Sequence, residues 1–162
     1  WFSPKTSHVS TFQYWHDVLT KVLLEQLSHY NLLVLCIADT QADTLPATEE
    51  QITQAELDLG LTFTKEYRSY LLNIGVMSFG PVETYGLGVP ETSFLNILNA
   101  LGELRAINNF PLSMIPIADI GDGYYYMYDN STQNIVIVSL PGVGIKIICS
   151  DLETFLIDLI FS

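Results

Sequence analysis

Apolar residues recur every three to four positions through most of the chain, then give way to short β-branched and aromatic runs in its last third. Phe12, Trp15, Leu19, Val22 and Leu23 share one face, which predicts a helix over roughly 11–28. Residues 31–38 (NLLVLCIA) fit either a continuation of that helix or a buried strand. A polar connector runs from Asp39 to Pro46.

Two short amphipathic helices follow. Thr48-x-x-Gln51 is a capping box, and Glu49 and Glu50 stand at the positive helix end. Ile52, Ala55 and Leu59 then face inward, and Gly60 stops the helix. Thr64 can cap the second helix, in which Tyr67, Tyr70, Leu71 and Ile74 form the apolar stripe and Gly75 the stop. A loop with Phe79-Gly80 leads to an expected strand start at Tyr85-Gly86-Leu87. Phe94, Ile97, Leu98, Leu101 and Leu104 predict a further helix between Pro90 and Pro111.

The period then changes. Ser113–Ala118, Tyr124–Tyr128, Ile135–Leu140 and Ile145–Ile148 are separated by Gly121-Asp122-Gly123, Asp129-Asn130-Ser131 and Pro141-Gly142, the pattern of a meander of hairpins. Ser150-x-x-Glu153 reads as a second capping box, opening a closing helix with Leu152, Phe155, Leu156, Leu159 and Ile160 inward. Helices, then antiparallel strands, then a helix, without βαβ alternation, predict an α+β fold: an antiparallel β-meander packed with N-terminal helices and a closing C-terminal helix. One domain over 1–162 is expected, with a core at about 45–161 and a helical extension at 1–44.

Composition narrows the partners. The chain has 162 residues, 49% apolar, enough for a core without disulfides or metals. Eighteen acids against six bases give a net charge of −12. That balance argues against nucleic acid or an anionic membrane as partner and permits a basic protein, whose encounter it would speed; a solvated coat that keeps the protein soluble is the plainer reading of the acids. The longest apolar run, Leu32–Ala38, is too short to span a bilayer, and no signal-peptide pattern is present; the expected location is the cytoplasm. Cys36 and Cys149 both sit in apolar runs, so buried thiols are expected.

Candidate chemistry is sparse. His8, His16 and His29 all precede the first cysteine, and no CxxC or HxxxH occurs, so no metal or other cofactor is expected. There is no GxSxG, GxGxxG or GxxxxGKS/T pattern, and Gly142-x-Gly144 is better explained by a hairpin turn. Asp119, Asp122 and Asp129 crowd the first hairpins; turn capping is the default role, and a carboxylate hydrolase is the alternative. Tyr124-Tyr125-Tyr126 with Tyr128 alternates along a strand, one set facing the core and the other available as a protein-binding patch beside the acids.

The Leu45–Leu87 stretch resembles the SUKH superfamily, the Smi/Knr-like domains. The likeness rests on a capped helix with an internal Glu before a Leu-Gly end (Ile52, Glu56, Leu59, Gly60) and a second helix with Tyr67, Tyr70 and Leu71. A glycine stop and the Tyr85-Gly86-Leu87 element follow. Downstream, Ile115-Pro116-Ile117-Ala118, the turn at Gly121–Gly123, Asp129, and the Ser150 to Phe155-Leu156 helix extend it over roughly 45–161. The stop reads Asn73-Ile74-Gly75 where Asn-Gly-Gly is common, and Thr64 replaces a frequent proline.

The resemblance implies a non-enzymatic binding domain. Many bacterial members look like immunity proteins that neutralise a co-encoded toxin, often a nuclease, whereas fungal members are regulatory interaction proteins. The expectation is therefore stoichiometric occlusion of a cationic toxin, with a regulatory or scaffold module as the alternative. Glu83, Asp119, Asp122, Tyr125 and Asp129 are the expected partner contacts, chosen for charge or aromaticity near turns.

Overall fold

In the computed structural model, residues 33–34, 37–38, 40 and 42–161 are described. The expected helix over 11–28 and Cys36 lie outside them. The elements are β1 (Asp43–Leu45), α1 (Glu49–Leu59), α2 (Lys65–Asn73), β2 (Val76–Phe79), β3 (Val82–Glu83) and α3 (Ile97–Leu104). They continue with β4 (Met114–Gly121), β5 (Tyr124–Asp129), β6 (Asn134–Ser139), β7 (Gly144–Cys149) and α4 (Leu152–Phe161). The fold is α+β, with the expected four-stranded antiparallel meander β4-β5-β6-β7 and closing helix, and a second, three-stranded antiparallel sheet β1-β2-β3.

Local signals set the first two helices. The Thr48 hydroxyl accepts the Gln51 N–H and the Gln51 side chain accepts the Thr48 N–H, completing the capping box of α1. Gly60 adopts the left-handed conformation (φ 64°) that ends it. Thr64 caps α2 by accepting the Tyr67 N–H, and the Ile74 and Gly75 N–H groups close on the Tyr70 carbonyl. Glu56 is a clamp between the helices. Its carboxylate accepts the Phe63 N–H at 2.8 Å and the Arg68 guanidinium at 2.7 Å.

These helices pack on the meander through aromatic rings. Tyr67 stacks on Tyr128 of β5 with centroids 5.2 Å apart and planes at 17°, and Phe63 and Tyr70 flank it. The Tyr128 hydroxyl bonds Thr64 at 2.7 Å and donates to Glu66 at 3.0 Å, while Asn130 ties its turn to Thr62 and Thr64. The buried Tyr70 hydroxyl donates to the Tyr85 carbonyl (2.8 Å) and shares a 2.9 Å bond with the Thr84 hydroxyl.

Tyr67 differs from its neighbours, because its fully buried hydroxyl has no hydrogen-bond partner among the described residues. An unpaired buried hydroxyl is destabilising. Tyr67→Phe is therefore expected to raise stability by about 1 kcal/mol, and Tyr70→Phe, which orphans a buried carbonyl, to lower it by a similar amount. Urea denaturation of both variants reads the two signs directly.

Several expectations change. Part of the polar connector is strand: Asp43–Leu45 pairs antiparallel with β2. At 31–38 the described residues are helical, and Leu33 and Ile37 are buried, which resolves helix against strand. Tyr85-Gly86-Leu87 is not a strand. Gly86 forms a single bridge to Asn96, and the strand lies earlier, at Val82–Glu83. Helix α4 is not opened by a Ser150 capping box. The Asp151 carboxylate accepts the Thr154 N–H at 2.6 Å, and Glu153 is buried, accepting the Leu33 N–H at 3.3 Å. Cys149 is half-buried, with its thiol bonded to the Asp151 carbonyl.

Three glycines crowd the end of β1. Leu45 bridges Gly75, and a Cβ on Gly75 would lie 2.9 Å from both Leu45 C and Pro46 Cα and closer still to the Leu45 oxygen. A Cβ on Gly86 would lie 2.5 Å from the Gly75 carbonyl, and one on Gly88 would overlap the Leu45 carbonyl. The backbones touch here with no side chain between them, and the 84–96 loop is held from this crossing.

Candidate functional site

The 84–96 loop, α3 and the β4–β5 hairpin enclose an open cavity of about 530 Å3. Its walls include Tyr85 and Phe94 from the loop, Glu103 and Leu104 from α3, and Asp119 and Tyr125 from the hairpin. A smaller hollow of about 110 Å3 shares Tyr85, Phe94 and Asp119 with it and adds Glu83. The two form one groove with an apolar floor and an acidic rim.

Each wall has a local cause. In β4 the register shifts between Pro116 and Ala118, leaving Ile117 as an extra residue. This β-bulge re-phases the strand so that Asp119 stands opposite Tyr125. The Ile117 carbonyl also accepts the Tyr85 N–H at 2.8 Å, fixing the loop against the bulge. The Gly121 N–H donates to Asp119 at 2.7 Å, a short turn bond that orients the carboxylate. On the loop, Gly86 donates to the Leu95 carbonyl and accepts the Ile97 N–H. Asn96, buried, caps α3 through the Leu98 N–H and donates to the Val89 carbonyl. These bonds leave Phe94 outside the helix expected to contain it, with 65% of its surface exposed.

The groove is electrostatically negative. Burial pushes the Tyr85 hydroxyl up to about 12, and Asp119, Tyr125, Glu103 and Glu83 push it the same way. Burial, the Asp119 charge and hydrogen bond, and the Glu103 charge likewise raise Tyr125. Among the described residues no lysine or arginine lines either hollow. Arg68 is committed to Glu49 and Glu56, and Arg105 to the Leu59 and Leu112 carbonyls.

The sequence-based contact set divides accordingly. Glu83, Asp119 and Tyr125 converge on the groove. Asp122 is exposed at the hairpin tip beside it, next to Gly123, which lines the cavity. Asp129 stands at the other end of β5 and is only 8% exposed. It accepts from Ser131 and Thr132 within its own turn. Burial raises its carboxyl, but the bonds from Ser131, Thr132 and Ser113 outweigh burial and hold it below the usual carboxylate range. Its role is to shape the β5–β6 turn, so it does not fit the surface contact expected of it, and the three aspartates do not converge as a hydrolase would require.

Glu103, Tyr85 and Phe94 were not anticipated. Glu103 had a signal, being the single acid in the apolar helix Ile97–Leu104. Tyr85 and Phe94 had none, because both read as core positions. The tyrosine strand also departs from plain alternation: Tyr126 packs edge-on against Phe155 of α4 with centroids 4.9 Å apart, and Met127, Tyr128 and Asp129 are all buried. Among the described residues no group of three or more His, Cys, Asp or Glu converges as metal ligands, and no helix is long and apolar enough to cross a membrane.

Comparison with protein families matches residues 49–156 to SUKH_6, described as SMI1-KNR4 cell-wall. A crystal structure of a protein from Pseudomonas syringae pv. tomato is similar in fold, with a TM-score of 0.55 at 15% identity, covering 66% of this chain and 81% of that one. No curated protein matches.

Proposed function

The chain belongs to the SUKH domain family, in its SMI1-KNR4 group, and from that membership we propose that it is a cytoplasmic immunity protein that binds a co-encoded, cationic toxin and blocks it stoichiometrically. It acts by occlusion, not by catalysis. One observation carries the reading: Glu83, Glu103 and Asp119 rim an aromatic groove in which no described lysine or arginine neutralises them. Carboxylates held beside exposed aromatic surface are what a basic protein partner needs, because the charges steer the encounter and the rings supply the buried contact. The groove would form the centre of an interface of about 1,600 Å2.

The test is rescue. Cells expressing the toxin encoded beside this gene should survive when the chain is co-expressed; death at matched expression would sink the immunity reading for that pair. Kinetics check the charge argument separately. The association rate should fall about tenfold or more between low and high salt, as expected for steered binding. A salt-independent rate would contradict steering.

A further inference from the structure

We infer that the cavity between α3 and the β4–β5 hairpin receives an arginine side chain from the protein partner. The inference rests on the groove being the contact surface, and it specifies the chemistry that enters. Glu103 and Asp119 are exposed carboxylates that reach the cavity from different elements, α3 and β4. A guanidinium has five donors in a fixed fork and can bond carboxylates on two sides at once. Between the acids the walls are aromatic: Tyr85, Tyr125 and the largely exposed Phe94. A guanidinium stacks on such rings and is weakly hydrated, so it enters an apolar floor more readily than an ammonium. The lifted Tyr85 and Tyr125 hydroxyls stay neutral at physiological pH and add polar contacts without further charge. Lysine would match the charge and could bridge two carboxylates, but its strongly hydrated ammonium has neither the fixed planar fork nor the face-on stacking of a guanidinium.

The protein itself supplies the test, without any toxin. A blocked Gly-Arg-Gly peptide, its lysine counterpart and its citrulline counterpart are titrated into the isotope-labelled chain, and amide shifts are followed by NMR. Citrulline keeps the shape of arginine and removes the charge. The arginine peptide should give saturable shifts at Glu103, Asp119 and Tyr125, with the citrulline peptide at least about tenfold weaker and the lysine peptide several-fold weaker. Glu103→Gln should weaken the arginine peptide several-fold at an unchanged melting temperature, since that side chain is exposed, and Asp119→Asn should do so with at most a small drop, because asparagine keeps an oxygen to accept the Gly121 N–H. Equal binding of citrulline, lysine binding as tight as arginine, or shifts confined to another surface would overturn the assignment. If rescue from the toxin succeeds while the arginine peptide leaves the cavity unperturbed, the pocket assignment fails and the immunity reading stands. If the peptide binds at the cavity and rescue fails, the pocket stands and the immunity reading fails.

Discussion

Gly75→Ala should lower stability by about 3 kcal/mol or more, a large share of the roughly 5–15 kcal/mol that holds a domain of this size together. Two separate terms contribute. Gly75 has φ 66°, a left-handed conformation that disfavours any Cβ by about 1 kcal/mol. The added methyl would also meet Leu45 and Pro46 backbone atoms inside 3.0 Å, where neither neighbour is a flexible side chain that can move away. Overpacking of that kind adds about 1–3 kcal/mol. Gly60→Ala isolates the first term, because Gly60 shares the left-handed conformation (φ 64°) and has nothing within 4 Å of its would-be Cβ. Thermal unfolding followed by circular dichroism should show Gly75→Ala melting roughly 10 °C below the wild type and Gly60→Ala only a few degrees below it. Equal losses in the two variants would mean that the crossing is looser than described.

Reversing both cavity charges should have the largest effect on binding. In Glu103→Lys/Asp119→Lys the rim proposed to attract a basic partner would repel it, and like charges brought together at an interface disfavour binding by several kcal/mol. Affinity for the cognate toxin is expected to fall by about a thousandfold, or about 4 kcal/mol. Asp43→Lys/Asp158→Lys changes net charge by the same amount at exposed positions outside the groove lining. That control should lose several-fold at most, mainly in association rate. A calorimetric titration of the two double variants separates local complementarity from overall charge, and similar losses in both would place the contact surface elsewhere.

The elements legible in the sequence are those whose signals are local. The Thr48/Gln51 box, the Gly60 stop, the Thr64 cap and the meander can each be read within a few residues, because the hydrogen bonds that set them close over three or four positions. The three-stranded sheet was not legible. Asp43–Leu45 is polar and three residues long, and it becomes a strand only because β2 lies beside it. The same limit applies to the site. Glu83, Asp119 and Tyr125 could be chosen as charged or aromatic residues near turns, but their convergence depends on a loop tethered to Ile117 and on a bulge, neither of which leaves a periodic trace. Asp129 misled for a related reason. An aspartate at a turn looks the same in sequence whether it faces solvent or, as here, is consumed by the turn's own hydroxyls.

The extra residue at Ile117 separates two kinds of change along one strand. Met114–Ala118 are buried, whereas Asp119 and Ile120 are exposed, so these two side chains past the bulge can be exchanged without disturbing the interior. The length of the strand has no such freedom. The bulge carbonyl anchors Tyr85, and the register beyond it aims position 119 at the groove. Relatives that recognise different partners are therefore expected to differ in residue identity at 119 and 120 while keeping the left-handed turn Gly121-Asp122-Gly123 and the spacing from 114 to 125 fixed. Specificity would then drift by substitution along an inherited frame, and an insertion or deletion in that frame would discard the proposed binding face altogether.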